Sequence, residues 1–251
     1  MSLLNDTVCV VSYAKYMKDL KMGAEIDSYD KVVRINNGIN ISSDDVSDFG
    51  KKTNILACSF CGGKNNFIVK TYNHLRKSKE KIDIFDLIKS YNVKDIFICK
   101  SKAGNIEESA TKHELNVLIP TNKHIEWAVT TGLQAIINVL KLKPKKIFLT
   151  GFSFTMELHP SYEKYYLMFK GEKIRESLDK NYDVDPNCKH STIFEKYIMK
   201  KLVKRYKILV DKNMKRIISN FDLSGLNNKF NEKIAKTYNE AYNEIINFID
   251  N

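Results

Sequence analysis

The stretch Glu25-Ile-Asp-Ser-Tyr-Asp-Lys-Val-Val-Arg-Ile-Asn36 combines a turn, a short apolar strand and a polar strand end. Asp27, Ser28 and Asp30 form turns because their side chains bond nearby backbone groups. The β-branched run that follows is typical of a buried strand. In an open α/β sheet, ligands bind just beyond the carboxyl ends of the strands. Asn36 is therefore a candidate binding residue, although a plain strand followed by an Asn-Gly turn explains the same residues.

Short apolar runs alternate with helical patterns along the rest of the chain. Runs such as Thr7–Val11 and Lys146–Thr150 are bounded by polar residues and predict buried strands. Segments with apolar residues at helical spacing lie between them and predict helices. This alternation indicates an α/β fold with a Rossmann-like, mostly parallel sheet flanked by helices. We expect a single domain across residues 1–251.

The segments between and after the predicted strands are interpreted as helices, a loop and one irregular region. The 152–189 segment is irregular and rich in tyrosine, and we interpret it as a lid-like addition to the domain. The amphipathic pattern near the end predicts a helix at residues 224–250, capped by Ser224, that packs on the sheet. The other helices are predicted at residues 15–24, 66–79, 83–91, 106–115, 125–141 and 191–204, with a loop at 38–52.

The composition is that of a globular protein with an excess of positive charge. The 251 residues include 41 basic and 30 acidic side chains, which gives a net charge of +11. Such a charge suits nucleic acid, an anionic membrane surface or an acidic substrate. The lysines are spread along the chain, and no compact basic block interleaved with aromatics is evident. We therefore expect no nucleic-acid partner and leave open peripheral association with a membrane surface.

Cysteine usage indicates reduced thiols and a cytoplasmic setting. The count is odd, and two of the cysteines lie in apolar strand-like runs. Met1–Asp6 is short and polar, so we expect no signal peptide, and no run approaches the 18 apolar residues of a membrane span. The five cysteines are Cys9, Cys58, Cys61, Cys99 and Cys188.

Two patterns suggest a metal site, and both are weak. Cys58-Ser-Phe-Cys61 has the spacing of half a zinc site, but no second pair follows at zinc-finger spacing. Asp183-Val-Asp185 has the Asp-x-Asp form of metal-dependent nucleotide-sugar transferases, but it lies in an irregular segment. Asp44-Asp45 is interpreted as loop solvation. We expect no metal and no other cofactor.

Four motifs in order resemble those of the sialyltransferase family. The opening stretch, followed by Asp48-Phe-Gly50-Lys-Lys-Thr53, resembles the large sialylmotif of the animal-type enzymes. Thr131-Gly-Leu-Gln-Ala with Ile147-Phe-Leu-Thr-Gly151-Phe is similar to their small sialylmotif. The small sialylmotif, and the last of the four motifs (His190 with Glu195), are also similar to those of the related bacterial sialyltransferases.

The remaining two motifs lie further along the chain. Leu158-His159-Pro-Ser-Tyr162-Glu partly matches the short third motif, and His190 with Glu195 has the His-x4-Glu spacing of the very small motif. The resemblance covers roughly residues 8–211. The chain departs from the family where Ser12-Tyr13 replaces a Gly-Asn pair that helps to hold the nucleotide. The cysteines that join the large and small motifs in the animal enzymes are also missing from their expected places.

The resemblance implies a GT-A-like variant of the α/β fold and a metal-independent, inverting glycosyltransferase. Such an enzyme moves sialic acid, or a related keto-sugar acid, from a CMP-linked donor to a glycan hydroxyl. His190 would be the general base, with His159 as a second catalytic candidate that assists the phosphate and Glu195 in support. The implied donor-binding residues are Ser12, Tyr13, Asn36, Thr131, Gly132, Gly151, Phe152 and Tyr162.

Two other functions remain open on the sequence. The Ser12-Tyr13 replacement is compatible with a relative of the same fold that binds a nucleotide or glycan without turnover. A basic nucleic-acid-binding protein is the less favoured alternative. The sequence assigns neither the acceptor and linkage nor the oligomeric state.

Overall fold

The computed structural model describes residues 2–41, 43–60, 67–77, 81–99, 106–120, 129–154, 192–221 and 232–251. Within them, a seven-stranded sheet has the order β5-β4-β3-β2-β1-β6-β7. Every neighbouring pair is parallel, which confirms the predicted α/β fold. The strands are β1 (Thr7–Val11), β2 (Lys31–Ile35), β3 (Ile55–Cys58), β4 (Asp95–Ile98), β5 (Asn116–Val117), β6 (Lys146–Thr150) and β7 (Leu209–Val210).

The sheet is covered by helices on both faces, and this explains why its inner strands are mostly apolar, with the buried Arg34 of β2 as an exception. Along β1, Val8 and Val10 pack into one hydrophobic cluster, while Cys9 and Val11 pack into another. A strand buried on both faces needs apolar residues at every position rather than at alternate ones. The described helices are α1 (Gly23–Ser28), α2 (Val46–Phe49), α3 (Phe67–Leu75), α4 (Ile84–Ser90), α5 (Ile106–Lys112), α6 (Thr131–Lys141), α7 (Thr192–Arg205), α8 (Lys212–Ser219) and α9 (Glu232–Asp250).

The prediction of a helix at residues 15–24 is wrong. A single 3₁₀ turn covers Lys15–Met17, and α1 begins only at Gly23, so it occupies part of the segment predicted as a turn. Asp19 and Lys21 between them have positive φ angles of 65° and 54°, which break a right-handed helix. Their backbone N–H groups donate instead to the carboxylate of Asp48, at 2.9 and 3.0 Å.

Other boundaries also differ from prediction. The predicted loop at 38–52 contains 3₁₀ turns at Asn36–Ile39 and Ser43–Asp45 and the short helix α2. The helix predicted at 125–141 begins at Thr131, because Thr130 has extended backbone and caps it. Helix α8 was not predicted. Of the lid-like segment 152–189 only residues 152–154 are described, and Ser224 lies outside the described residues.

The C-terminal helix α9 belongs to the main hydrophobic core. Tyr238, Ala241, Ile245 and Ile249 lie on one side of the helix and are fully or almost fully buried. They share a cluster with residues of β1, α6 and α7, so the amphipathic face predicted for this helix packs against the protein. None of the helices in the described part of the chain is long and apolar enough to span a membrane.

The described cysteines are buried and are not joined in disulfide bonds. These are Cys9, Cys58 and Cys99, as expected for reduced cysteines, while Cys61 and Cys188 lie outside the described residues. Burial raises the pKa of the Cys9 thiol, because a thiolate in the apolar core would be poorly solvated. These thiols therefore act as small apolar core groups.

Candidate active site

The strand order reverses direction beside β1, and this point defines a candidate crevice. Strands β2 to β5 extend from one side of β1, and β6 and β7 lie on the other. In doubly wound sheets, ligands bind at such a switch point, beyond the carboxyl ends of the strands. Ser12 follows β1, Asn36 follows β2 and Gly151 follows β6. The structure therefore places three of the predicted site residues on one edge of the sheet.

Backbone contacts hold the ends of β1 and β6 together. The Ser12 N–H donates to the Thr150 carbonyl at 3.0 Å, and the Ala14 N–H donates to the Gly151 carbonyl at 2.8 Å. Gly151 has a φ of 77°, and a Cβ there would lie 2.1 Å from the Ser12 carbonyl oxygen. The family resemblance implies that Gly151 binds the donor, and that role stays a prediction. The structure shows that Gly151 is needed for close approach of the Ser12 backbone.

Tyr13 packs into the protein beneath this edge. Its hydroxyl donates to the Gly38 carbonyl at 2.7 Å, and its ring stacks on Phe49 with centroids 4.6 Å apart. Burial raises the pKa of Tyr13 to about 12, although the nearby Arg34 guanidinium favours the phenolate. Tyr13 therefore links the end of β1 to the 3₁₀ turn after β2, and its donor-binding role stays a prediction.

Asn36 links the ends of β2 and β3 and still has a donor to offer. Its φ of 47° is left-handed, a conformation that asparagine tolerates better than most residues. Its Oδ1 accepts a hydrogen bond from the Ser59 N–H at 3.1 Å. The amide Nδ2 has no hydrogen-bond partner among the residues that the structure describes. The side chain is only partly buried, so Nδ2 can donate to a ligand acceptor.

The N-terminus of α6 lies at the same edge. Gly132 is in its first turn, and a Cβ at that position would lie 3.2 Å from Phe152 Cε1 and 3.7 Å from Ile35 Cδ1. Ile35 immediately precedes Asn36, so the first turn of α6 lies beside the ends of β2 and β6. The free N–H groups of a helix N-terminus attract anions. Thr131 and Gly132 are therefore in a position to bind a phosphate.

Glu195 holds this helix N-terminus in place. It lies in the first turn of α7 and is 5 % exposed. Its carboxylate accepts hydrogen bonds from the backbone N–H of Thr130 and, at 3.0 Å, from Thr130 Oγ1. Thr130 Oγ1 in turn accepts from the Leu133 N–H at 3.3 Å. Glu195 therefore connects the His-x4-Glu motif to the cap of α6, which suits the supporting role expected for it.

A buried polar cluster beneath the crevice was missed on the sequence. Oδ2 of Asp211, the residue after β7, accepts from the Tyr16 hydroxyl at 2.7 Å, from Thr150 Oγ1 at 2.9 Å and from the Gly151 N–H at 3.3 Å. Its Oδ1 caps α8 through the Met214 N–H at 2.8 Å. Burial and the adjacent Asp211 carboxylate raise the pKa of Tyr16. Only the position of Asp211 before a helical pattern could have indicated it, as an N-cap.

Several predicted site residues lie outside the described residues. These are His190, His159 and Tyr162, together with the alternative metal ligands Asp183 and Asp185. His190 precedes the first described residue of α7 by two positions. Their roles therefore stay predictions.

One group of described residues has the geometry to hold a metal ion, and it lies away from the crevice. Asp83, Asp86 and His113 place one ligand atom each within 4.8 Å of one another. Asp83 caps α4 by accepting from the Phe85 N–H at 2.8 Å. His113 follows α5, and its ring stacks on that of Phe85. Asp44 and Asp45, whose side chains are exposed or partly exposed, lie in a 3₁₀ turn.

Of the comparisons with known proteins, the match to a family model supports the resemblance seen in the large motif. Residues 6–127 match the family model for glycosyltransferase family 29, the sialyltransferases, which confirms the similarity for β1 to β5 and the large motif. The small motif, His190 and Glu195 lie beyond the match. A crystal structure of a mammalian sialyltransferase in complex with Gal-beta-1-3GalNAc-ortho-nitrophenol is 14 % identical, with a TM-score of 0.38, over 83 % of this chain and 70 % of that one. No curated protein sequence matches the chain.

Proposed function

We propose that this chain, which matches the sialyltransferase family over residues 6–127, is a metal-independent, inverting glycosyltransferase. It moves sialic acid, or a related keto-sugar acid, from a CMP-linked donor to a glycan hydroxyl. The family match carries the proposal. The positions of Asn36, Gly132 and Ser12 at the switch point support the proposal. Asn36 and Gly132 belong to the stretches that resemble the large and small sialylmotifs, and Ser12 follows the neighbouring strand β1.

The nucleotide binds at the edge formed by β2, β6 and α6. The first-turn N–H groups of α6 and the Thr131 hydroxyl bind the single phosphate of CMP. Asn36 Nδ2 donates to an acceptor on the nucleotide. Ser12 contacts the donor at the end of β1, and the Phe152 ring, which is buried in the main core beside Gly132, supports the donor site from beneath. Since one phosphate leaves rather than a diphosphate, the charge that develops is small enough for these donors to stabilise it without a metal ion.

The acceptor hydroxyl loses its proton to His190. An imidazole with its ordinary pKa can take up a proton near neutral pH. Glu195 lies five residues further on and bonds Thr130, so it fixes the first turn of α7 relative to the phosphate-binding turn. His159 assists the departing phosphate, and Tyr162 contacts the donor.

A nucleotide-binding screen tests the donor. CMP at 1 mM is expected to raise the thermal unfolding temperature, whereas UMP and UDP at the same concentration raise it less. A labelled CMP–sialic acid donor is then expected to show hydrolysis in water and transfer to a suitable glycan. If the folded protein neither responds to CMP nor consumes the donor, the proposal is wrong.

Replacement of the base separates binding from chemistry. His190→Ala is expected to lower the transfer rate by at least about 100-fold, the lower range for loss of a general base, with CMP binding nearly unchanged. His113→Ala is the matched control, because His113 follows α5 and its ring stacks on Phe85, whereas the proposed crevice lies at the ends of β1, β2 and β6. Full activity in His190→Ala would exclude it as the base.

The alternative is a relative that binds a nucleotide or glycan without turnover. The observation in its favour is that Tyr13, which stands where the family has asparagine, donates its hydroxyl to the Gly38 carbonyl. A protein that binds CMP tightly but neither hydrolyses the donor nor transfers from it to any of a broad panel of glycans would be this alternative. CMP binding alone does not distinguish the two.

A further inference from the structure

Positive charge is concentrated on the outer side of α7 and α8. Residues 196–216 contain nine of the 41 basic residues of the chain and one of its 30 acidic residues. The acidic residue, Asp211, is buried and accepts hydrogen bonds from Tyr16, Thr150 and Gly151. The sequence expectation of evenly spread lysines is therefore incorrect for this segment. We use "basic face" for its exposed side chains Lys200, Lys204, Lys207, Lys212, Lys215 and Arg216.

Helical spacing puts the cations of α8 on one face. Lys212, Lys215 and Arg216 are three and four residues apart and therefore lie together on the helix surface. Met214 and Ile218 on the opposite face are buried in the core. The apolar side of α8 is thus used inside the protein, and the cationic side faces solvent.

The two helices form one continuous surface. Lys200 Nζ donates to the carbonyl of Phe221, just beyond the end of α8, at 2.7 Å. Lys204 is one helical turn further along α7. Within the part of the chain that the structure describes, Lys204, Lys207 and the three cations of α8 form no ion pair. Arg205, by contrast, pairs with Asp250 at 2.8 Å and is not counted in the basic face.

We propose that the basic face binds the surface of a membrane that contains anionic lipids. Lysine ammonium groups on flexible stems are attracted to anionic headgroups, and their contributions add. Leu209 lies on the edge strand β7 between Lys207 and Lys212, and 43 % of its surface is exposed. An exposed leucine among lysines fits an interface where the apolar side chain enters the headgroup region and the charges stay with the phosphates.

The aromatic residues of this segment argue against single-stranded nucleic acid. Such binders stack bases on free aromatic rings. Here the Tyr197 hydroxyl donates to Asn239 and the Lys201 ammonium lies over the Tyr197 ring. The Tyr206 hydroxyl donates to Asp250, and the Arg205 guanidinium lies over the Tyr206 ring. Both tyrosine side chains therefore already form contacts within the protein. The lysine and arginine charges and the exposed Leu209 side chain remain as the groups that can bind a partner.

Vesicle binding with a charge-matched control tests the proposal. The full chain is sedimented with vesicles of phosphatidylcholine alone and with 30 % phosphatidylserine, in 0.1 M and 0.5 M NaCl. Binding is expected only with phosphatidylserine, and weaker at high salt. The variant K204E/K212E/K215E is expected to bind at least 100-fold more weakly, from about fivefold for each charge removed. The control K18E/K70E/K145E carries the same net charge change on exposed sites elsewhere and is expected to bind within about fivefold of the unchanged protein.

Comparison of the two triple variants, and of vesicles with RNA, identifies the results that would contradict the proposal. Equal weakening by the two triple variants would mean that only overall charge matters, and would overturn the assignment of the basic face. Absence of binding to phosphatidylserine vesicles, or tighter binding to a 20-nucleotide RNA than to those vesicles, would overturn the membrane partner. If the glutamate variant has a lower thermal unfolding temperature than the unchanged protein, K204Q/K212Q/K215Q replaces it. Separately, L209S is expected to weaken vesicle binding severalfold without altering the salt response. None of these readouts depends on catalysis.

Discussion

At the residue scale, Glu195 connects the start of α7 to the cap of α6, a structural role that requires no proton transfer. Its carboxylate is buried and both of its oxygens are bonded to Thr130. A group held in this way positions the N-terminus of α6, which presents Thr131 and Gly132 to the crevice. The consequence is that loss of Glu195 should affect stability and donor binding together.

Glu195→Ala is expected to lower the free energy of unfolding by about 1–3 kcal/mol, because the Thr130 N–H loses its acceptor in a largely buried place. It is also expected to reduce the thermal shift produced by CMP. Glu195→Gln keeps an oxygen acceptor for the Thr130 N–H and should lose less of both. Urea unfolding and the CMP thermal shift measure the two effects, and an alanine variant as stable as the unchanged protein would contradict this prediction.

Replacement of Gly151 is also expected to lower the free energy of unfolding. Gly151→Ala would place a Cβ 2.1 Å from the Ser12 carbonyl oxygen at a φ of 77°. Loss of at least about 3 kcal/mol, or no folded protein, is expected from the clash and the left-handed backbone. Gly132→Ala is the comparison, because its Cβ would meet Phe152 at 3.2 Å in a helical conformation, and a change within about 1 kcal/mol is expected. Equal stability of the two variants in urea would contradict the assignment.

At the scale of elements, the strands followed from the sequence and many helix ends did not. Most of the strands are short, largely apolar runs, so they can be identified without knowing what surrounds them. Helix α1 begins with glycine, and the break before it depends on Asp48 binding the N–H groups of Asp19 and Lys21. That interaction spans about 30 residues and leaves no periodic signal.

The site was also only partly predictable. Ser12, Asn36, Gly132 and Gly151 could be brought together from strand order and family resemblance. The bond between Glu195 and Thr130 joins residues 65 positions apart, and the bond between Tyr16 and Asp211 joins residues 195 positions apart. Such polar pairs carry no pattern along the chain, and tertiary packing alone defines them.

The link between β1 and the turn after β2 has a testable pH dependence through Tyr13. The pKa of Tyr13 is raised from 10 to about 12 in the folded protein. The contribution of the protonated Tyr13 side chain to the free energy of unfolding is therefore present in full below pH 10. It is lost as the pH rises toward 12, because the tyrosine of the unfolded chain loses its proton first. By pH 11 the unchanged protein is expected to lose about 1 kcal/mol through this group.

Tyr13→Phe measures that contribution. At pH 7 it is expected to be less stable by about 1 kcal/mol, because the hydrogen bond to the Gly38 carbonyl is lost. The difference should shrink or vanish by pH 11, while lysine titration affects both proteins alike. Urea unfolding at the two pH values tests this, and a constant difference would show that Tyr13 does not titrate as expected.

At the scale of the whole molecule, the two ends of the described chain share one core. Leu3 and Ile249 are both buried in the hydrophobic cluster that contains α6 and α7. The last helix is therefore part of the folded unit, and removing it would expose the core rather than simply free a surface.

Ile245→Ala tests this. The side chain is fully buried, and a loss of about 2–5 kcal/mol is expected for an isoleucine truncated in the core. Lys236→Ala on the exposed side of the same helix, where 80 % of the side chain is accessible, is expected to change stability by less than about 0.5 kcal/mol. Similar values for the two variants in urea unfolding would mean that α9 is not docked.

The place of β1 in the sheet has a consequence for how the protein is made. Strand β1 is synthesised before the other described strands and lies inside the sheet, where Thr7 to Val11 pair with Lys146 to Thr150. At about 5–20 residues per second, synthesis from Val11 to Lys146 takes about 7–27 s. During that time one edge of β1 has no partner strand and its apolar faces are only partly covered, which favours aggregation. The nascent chain is therefore expected to depend on chaperones until β6 emerges and pairs with β1.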